Sequence, residues 1–303
     1  MNTTSTLTSA AVDVRTALTE GYADVGEVTL HYVEAGEGPL VILLHGFPAF
    51  WYTWREQIAP LVNAGYHVVA PDLRGYNLSS KPAAFTDYTA DKPAADIRGL
   101  IRALGSETAT VVGHDWGGSV AWTLAMNNPE VVDRLVILNA AHPRKLNEGL
   151  KNPRQLLRSW YFFYFQLAGS PERRAARDNW KFFTGFLRDA HPAYTQQELD
   201  QYRSAWSQQG AATGMIDYYR AAVRLGSKQK VLTITAPTLV IWGQEDRYLG
   251  ADLAEPHAED VPNLVSVERL PNASHWVHHD EAGRVNELLV DFLGGDSGSL
   301  TGR

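Results

Sequence analysis

The sequence predicts an α/β fold with a mostly parallel central sheet, helices on both of its faces and an inserted α-helical cap. Short β-rich apolar runs alternate with helical patterns between residues 27 and 139. That rhythm stops after Pro143 and resumes near Ala236. A chain of 303 residues with 45% apolar composition is long enough to bury such a core.

The first part of the core supplies five predicted strand-and-loop units, and two more follow the break. They cover residues 27–35, 39–47, 67–75, 108–116, 133–141, 237–246 and 264–276. Helical periodicity marks residues 52–63, 90–104, 117–127 and 282–293. Because parallel strands of such a sheet bind ligands beyond their carboxyl ends, the loops after these strands are where we expect the site.

We expect four segments along the chain. Residues 1–143 and 231–295 form the two parts of the core, residues 144–230 form the cap (lid), and the polar tail 296–303 is expected to be disordered. The cap has 15 Lys and Arg against 7 Asp and Glu, which gives it +8 and leaves −15 for the remainder of a chain of net charge −7. A basic surface for an anionic partner and a lid with solvent-facing charges both fit this contrast; we favour the lid.

Composition excludes several classes of site. The chain has no cysteine, so disulfides, thiolate metal sites and a cysteine nucleophile are ruled out. The amino-terminal residues lack the pattern of a signal peptide, and no apolar run reaches membrane-spanning length. The basic residues form no dense stripe with interleaved aromatics. We therefore expect a cytoplasmic protein that binds neither nucleic acid nor membrane, and a homo-oligomer is left open.

The strongest motif is Gly113-His114-Asp115-Trp116-Gly117, which lies between a predicted strand and a predicted helix. Glycines two residues to either side allow a strained strand-to-helix turn that projects the central side chain above the sheet. This is a nucleophile elbow with aspartate in the serine position, so Asp115 is predicted to be the nucleophile. An ordinary glycine-rich turn with a helix-capping aspartate is the alternative.

Two further residues complete a catalytic order. Asp246 follows the strand at 237–242, and His275 follows the next strand, which gives the sequence nucleophile, acid, histidine. Glu245 is the nearest competitor for the acid. The loop His45-Gly46-Phe47-Pro48 follows another strand, and the backbone N–H groups of Phe47 and Trp116 are predicted to form an oxyanion hole.

These segments together resemble an epoxide hydrolase of the α/β-hydrolase superfamily, in the branch with an aspartate nucleophile. The segments are HGFP, DLRGYNLSS, GHDWGG, GQEDRY and ASHWV, and the resemblance covers residues 24–294. It implies a cofactor-free, metal-free enzyme that converts a small apolar epoxide and water to a vicinal diol through an alkyl ester on Asp115. His275 would activate the hydrolytic water and Asp246 would orient His275.

The leaving group decides between two reactions of this branch. Epoxide opening expels a strongly basic alkoxide, which requires a proton donor such as tyrosine, whereas a halide needs only N–H donors. By similarity to epoxide hydrolases, Tyr161 and Tyr219 of the cap would hold the epoxide oxygen. Their neighbours Tyr164 and Tyr218 are the alternatives. Tyr164 is also expected in the substrate pocket, together with Trp51 and Trp276.

A haloalkane dehalogenase is the main alternative, because the Trp116 indole suits halide. Against it, Phe47 occupies a position where many dehalogenases present a polar donor. A haloacid enzyme would carry arginines after the nucleophile, where this chain has Trp116 and Ser119. A non-catalytic ligand-binding protein of the same fold is the alternative from another class. The histidines at 275, 278 and 279 fit no zinc spacing, so no metal is expected.

Overall fold

The computed structural model describes residues 18–226 and 230–295. The predicted disordered tail at 296–303 lies outside the described residues. Within them the chain builds one eight-stranded sheet in the order β1-β2-β4-β3-β5-β6-β7-β8. Its strands are β1 (Thr19–Asp24), β2 (Thr29–Ala35), β3 (Leu40–Leu44), β4 (His67–Pro71), β5 (Ala109–His114), β6 (Val132–Leu138), β7 (Thr238–Gly243) and β8 (Leu264–Leu270).

Strands β3 to β8 pair in parallel, while β1 and β2 are antiparallel additions at one edge. The mostly parallel sheet predicted from the sequence is confirmed. The prediction omitted β1. Its sequence TEGYAD is largely exposed and includes a glycine, an alanine and two acidic residues. This strand forms by pairing with β2, with Thr19 opposite Glu34. An edge strand of this composition has no apolar alternation to reveal it.

Twelve α-helices accompany the sheet within the described residues. They are α1 (Arg55–Asn63), α2 (Asp91–Ala103), α3 (Trp116–Asn127), α4 (Pro143–Gly149), α5 (Pro153–Arg158), α6 (Trp160–Tyr164), α7 (Ser170–Ala175), α8 (Lys181–Leu187), α9 (Gln196–Trp206), α10 (Ala211–Leu225), α11 (Val277–Asp280) and α12 (Ala282–Gly294). None of the helices in these two ranges is long and apolar enough to cross a membrane.

Both faces of the sheet are buried, as β3 shows. All five of its residues are buried, and successive side chains join different apolar clusters. Ile42 belongs to the cluster that contains α2 and α3, whereas Val41 and Leu43 belong to the cluster that contains α1 and α12. Such continuous apolar strands are typical of parallel sheets with a helical layer on each side.

Helices α4 to α10 lie between β6 and β7, and the described part of this segment contains no strand. Side chains from both parts of the chain fix them to the core. Trp206 donates its indole N–H to the Pro48 carbonyl at 2.6 Å, and Trp276 donates its indole N–H to the Phe186 carbonyl at 3.0 Å. Since Pro48 and Trp276 lie in loops after strands, the helices are held over the carboxyl ends of the sheet.

Candidate active site

Asp115 lies at the turn between β5 and α3, in a backbone conformation that L-residues rarely adopt. Its φ of 52° and ψ of −119° mark a strained turn. A Cβ added at Gly113 would collide with the Gly117 carbonyl oxygen, and one added at Gly117 would collide with the Leu44 carbonyl oxygen. The two glycines that the motif predicted are therefore required, because the turn leaves no room for side chains on either side of Asp115.

The Asp115 carboxylate is held from two directions. Its Oδ1 accepts the Phe47 backbone N–H at 2.7 Å, and its Oδ2 lies 3.5 Å from His275 Nε2. A Cβ at Gly46 would strike the Asp115 side chain, so the loop approaches this closely only as glycine. Burial raises the pKa of Asp115, but the hydrogen bond and charge of His275 outweigh burial and leave that pKa below its ordinary value. The carboxylate is therefore ionised at neutral pH.

His275 follows β8 and connects Asp115 with the buried Asp246. Its Nδ1 donates to Asp246 Oδ2 at 2.7 Å. The other oxygen of Asp246 accepts the backbone N–H groups of Tyr248 and Leu249 at 2.7 and 2.9 Å. The competitor Glu245 is exposed to solvent. The structure thus brings the three predicted residues together, with His275 between Asp115 and Asp246.

Asn139 is a residue of this network that the sequence analysis missed. It directly follows β6 and has a φ of 41°, and its amide Nδ2 donates to Asp246 Oδ2 at 2.7 Å. Its Oδ1 accepts the Gly243 backbone N–H at 2.9 Å, which ties the end of β6 to the end of β7. The available signal was its place directly after a buried strand and shortly before the insertion, where parallel strands deliver functional side chains.

His275 is charged in the resting site. Burial lowers its pKa, but the charge of Asp246 and hydrogen bonds to Asp115 and Asp246 raise it, and the balance is a pKa of about 10. The imidazole is consequently an imidazolium at neutral pH as long as both carboxylates are ionised. The neutral base required by the sequence interpretation arises only when one of those charges is removed.

This raised pKa predicts a pH dependence of stability. His275 binds its proton more tightly in the folded chain than in the unfolded chain, whose pKa is near 6.5. Its stabilising contribution is therefore complete below pH about 6.5 and is lost as the pH rises to about 10. We expect wild type to lose more free energy of unfolding across this window than His275→Gln, measured by denaturant titration at several pH values.

The same experiment has internal comparisons. Asp246→Asn removes the carboxylate that raises the His275 pKa, so it should also flatten the pH profile between about 6.5 and 10. Glu245→Gln removes the adjacent exposed carboxylate and should keep the wild-type profile. Parallel profiles for wild type, His275→Gln and Asp246→Asn would contradict a strongly coupled imidazolium.

A small cavity lies above Asp115, which we call the catalytic cavity. It measures about 10 Å³, roughly the room for one water molecule. Besides Asp115 and His275, the predicted residues Phe47, Tyr161, Tyr219 and Trp276 line it. The complete lining is Phe47, Asp115, Tyr161, Phe186, Tyr219, Tyr248, His275 and Trp276. Phe186 and Tyr248 were not anticipated from the sequence.

Two predicted pocket residues do not line this cavity. Trp51 instead donates its backbone N–H to Asp72 Oδ1 at 3.1 Å, and its ring packs edge-to-face on Phe50. Tyr164 packs on Phe182, outside the lining. The alternative donor Tyr218 gives its hydroxyl hydrogen to the Arg74 carbonyl at 3.0 Å. Tyr161 and Tyr219 are therefore the two cap tyrosines whose side chains face Asp115.

Tyr161 and Tyr219 stay protonated well beyond neutral pH. Burial, and then the negative charge of Asp115, raise the pKa of both phenols well above the ordinary value. Their ring centroids lie 5.5 Å apart at 77°, so the two side chains share one wall. A phenol kept neutral in this way offers an O–H donor to an oxygen that becomes basic during a reaction.

The predicted oxyanion donors lie on either side of Asp115. Phe47 is fixed by edge-to-face packing on Phe186 and Tyr219, and the Phe47–Pro48 peptide is cis. Trp116 is the first residue of α3, so its backbone N–H has no acceptor within the helix. In the resting site the Phe47 N–H orients the Asp115 carboxylate. The same N–H group can donate to an oxyanion that forms on the carboxyl carbon of Asp115.

The remaining histidines of this region have structural partners. His278 is hydrogen-bonded to Thr53 Oγ1 at 2.7 Å, and His279 donates to the Pro192 carbonyl at 2.7 Å. Burial lowers the pKa of both. Across residues 18–226 and 230–295, no group of three or more His, Cys, Asp or Glu side chains is arranged to hold a metal ion.

Comparison with known proteins places these features in a family. A family model described as alpha/beta hydrolase fold matches residues 39–282. The AB hydrolase superfamily protein YfhM of Bacillus subtilis is 41% identical over 90% of this chain and 96% of its own length. Epoxide hydrolase 4 of Homo sapiens is 38% identical over 87% of this chain and 75% of its own length. A crystal structure of Bacillus megaterium epoxide hydrolase with an inhibitor superposes with a TM-score of 0.80, at 34% identity over 91% of this chain and 100% of that one.

Proposed function

Because this chain belongs to the α/β-hydrolase family and is an epoxide hydrolase, we propose that it forms a covalent alkyl ester on Asp115 and then hydrolyses it to a vicinal diol. One observation carries the proposal. The ionised Asp115 carboxylate and two neutral tyrosine hydroxyls, those of Tyr161 and Tyr219, face the same cavity. The carboxylate can attack the carbon of an epoxide C–O bond while the tyrosine hydroxyls protonate the oxygen of the same bond.

In the first step an Asp115 oxygen attacks an epoxide carbon and the C–O bond of the ring breaks. Electrons move to the epoxide oxygen, which becomes an alkoxide facing Tyr161 and Tyr219. An alkoxide is more basic than a phenolate, so it takes a proton although the pKa of both phenols is raised. The product of this step is a hydroxyalkyl ester of Asp115.

Esterification of Asp115 also changes His275. The ester carries no negative charge, and the hydrogen bond and charge of Asp115 are two of the contributions that hold the His275 pKa near 10. The pKa therefore falls when the ester forms. The proton released by His275 replaces the one that the tyrosines gave to the alkoxide, and the imidazole is left neutral. Formation of the intermediate thus prepares the base for the next step.

In the second step neutral His275 takes a proton from water, which attacks the ester carbonyl carbon. The resulting oxyanion accepts hydrogen bonds from the backbone N–H groups of Phe47 and Trp116. Collapse of this intermediate releases the diol and restores the Asp115 carboxylate and the His275 imidazolium. Asp246 stabilises and orients the imidazolium by accepting a 2.7 Å hydrogen bond from its Nδ1. The sum is one epoxide and one water converted to one diol.

The cap and the substrate class belong to the same proposal. Residues 144–230 form the cap, which supplies both tyrosines and covers the carboxyl ends of the strands. The catalytic cavity has apolar walls from Phe47, Phe186 and Trp276, which suits an apolar substrate around the epoxide ring. Because the cavity holds only about one water, the epoxide enters when these side chains and the cap move apart.

Dehalogenation by the same nucleophile is the competing reaction. It would use the Trp116 indole as a halide donor, but this ring packs edge-to-face against Tyr219 at 5.1 Å. The Phe47 side chain, at the position of a second halide donor in many dehalogenases, is apolar and buried among phenylalanines. Halide leaves without being protonated, so dehalogenation does not require the two tyrosine hydroxyls. The site therefore favours the epoxide.

The proposal is tested by a substrate panel and by isotope transfer. We expect diol from styrene oxide and no halide from a 1-haloalkane or fluoroacetate. In a single turnover with excess enzyme in H₂¹⁸O, the diol should contain no ¹⁸O and Asp115 should acquire it, because the first new C–O bond comes from the carboxylate. Halide release without diol would overturn the reaction, and ¹⁸O in the first-turnover diol would overturn the covalent step.

Removing both cap hydroxyls is expected to slow ring opening. For Tyr161→Phe with Tyr219→Phe we expect the rate of alkyl-enzyme formation to fall by about 10²–10⁴, the usual size of a general-acid contribution. Single-turnover kinetics with styrene oxide measure this step directly. Tyr22→Phe, at an exposed position of β1, is the matched control and should retain the wild-type rate. An unchanged rate in the double variant would show that the tyrosines do not donate the proton.

A further inference from the structure

A second and larger cavity opens outside the catalytic cavity, which we call the outer cavity. It measures about 390 Å³ and lies against α6, α7 and α8 of the cap. That volume is within the range of sites for small organic molecules, whereas the catalytic cavity holds about one water. Phe186 and Tyr248 line both cavities, with their rings stacked at 5.9 Å and 28°. These two side chains therefore separate the two spaces.

The charges around the outer cavity are mostly positive. Four cations and one carboxylate line it: Arg174, Arg177, Lys181, Arg188 and Asp178. Arg174, Arg177 and Lys181 have no ion pair within the described residues, whereas Arg188 has a long contact of 3.7 Å with Asp189. Elsewhere in the cap, Arg220 is paired with both Glu172 and Asp217. Cations that have no carboxylate partner at a cavity wall are available to an anionic ligand.

Aromatic side chains form the remainder of the wall. Trp160 and Phe182 join Phe186 and Tyr248 in the lining. The Arg174 guanidinium stacks over the Phe182 ring at 4.6 Å, which restricts its position beside the apolar surface. The outer cavity thus presents cations next to an apolar path that leads to the two side chains it shares with the catalytic cavity.

A negatively charged group beside Asp115 would be repelled by the carboxylates of the site. Asp115 and Asp246 both lie at the catalytic cavity or directly behind it, and His275 offsets only one of their charges. A negatively charged substrate must keep its charge away from Asp115 while its epoxide reaches that carboxylate. The strongly negative core and positive cap would steer the charged end of such a molecule to the cap.

We propose that the outer cavity binds an anionic group, a carboxylate or a phosphate monoester, on an epoxide substrate whose apolar part passes Phe186 and Tyr248 to reach Asp115. This inference rests on the proposed function, since it concerns the substrate of the same site. It assigns Arg177 and Lys181 the recognition of the anion and the aromatic wall the contact with the chain that joins anion and epoxide.

The experiment compares charged and neutral forms of one molecule. The substrates are a terminal epoxide joined by an alkyl chain to a carboxylate, the methyl ester of that acid, and the corresponding phosphate monoester, each in a series of chain lengths. We expect kcat/KM for the preferred anion to exceed that for the neutral ester by about tenfold at low salt. This advantage should shrink as sodium chloride screens the exposed cations. The preferred anion identifies the head group.

Paired variants separate a local effect from a change in total charge. In Arg177→Gln with Lys181→Gln, the ratio of kcat/KM between anionic and neutral substrate should fall about tenfold, to near unity. Arg102→Gln with Lys151→Gln removes the same charge at exposed positions outside the cavity and should keep the wild-type ratio. The ratio is measured within each variant, so a partial loss of folded protein does not affect it.

The outcomes distinguish this inference from the function on which it rests. If the neutral epoxide is turned over but the anions are no better, or if both double variants lower the ratio equally, anion recognition at the outer cavity is wrong and epoxide hydrolysis stands. If neither neutral nor anionic epoxides yield diol, the proposed function itself fails. A ratio that responds to Arg177 and Lys181 alone supports the site.

Discussion

Asp115→Asn is expected to reduce epoxide turnover by a factor on the order of 10⁵, the size of effect seen when a covalent nucleophile is removed. The amide is nearly isosteric, and its oxygen can still accept the Phe47 N–H that now binds Oδ1 at 2.7 Å. The fold and the cavity should therefore remain. What is lost is the charge and the nucleophilic oxygen, because a neutral amide does not open an epoxide ring.

Two measurements check this result. Steady-state diol release gives the loss of activity, and intact-protein mass spectrometry should detect no adduct in the variant. Asp133→Asn is the control, since Asp133 is an exposed carboxylate near the start of β6, at the opposite end of the strand from the site. Turnover within tenfold of wild type in Asp115→Asn would mean that water attacks the epoxide directly.

The core of the fold could be predicted because its strands carry an unambiguous signal. A strand buried on both faces, such as β3, has an uninterrupted apolar run that no loop would retain. Strand β1 has no such signal, since its pairing with β2 provides most of what holds it in the sheet. Local sequence therefore predicts central strands and omits edge strands that depend on their neighbours.

The grouping of Asp115, Asp246 and His275 could be predicted from the topology of the sheet. Parallel strands end at one edge of the sheet, so residues that follow three different strands meet there regardless of their distance in sequence. Asn139 lies at the same edge but was missed, since an asparagine after a strand has no motif of its own. Tyr248 was missed for a different reason. Its place in the lining depends on its ring lying against His275 at 5.2 Å, a contact that only the folded chain reveals.

The cap was harder to predict because all five residues of α6 are aromatic. In a helix, residues four apart share a face. Tyr161 and Phe165 are buried on the inner side, whereas Trp160 and Tyr164 lie together on the other side with their rings 6.1 Å apart. Composition cannot distinguish these two faces. Tyr161 and Tyr164 were both expected near the substrate, and of the two only Tyr161 lines the catalytic cavity, a difference that depends on helical register.

His275→Gln is expected to trap the alkyl-enzyme. The first step needs Asp115 and the cap tyrosines, whereas the second needs a base near the ester, so this variant should form the ester and fail to hydrolyse it. Steady-state diol release should fall by a factor on the order of 10⁴. The intact protein should gain the mass of one substrate molecule, located on the peptide that contains Asp115.

The conditions matter because His275 also holds the Asp115 pKa down. Burial raises that pKa once the imidazolium is gone, so the trapping experiment should be run at pH about 8, where the carboxylate stays ionised. His257→Gln, which changes a partly exposed histidine paired with Glu148, is the control and should turn over without an adduct. An inactive His275→Gln without adduct would place His275 in the first step. A fully active one would remove it from the mechanism, because no other described histidine lies within 4 Å of the Asp115 carboxylate.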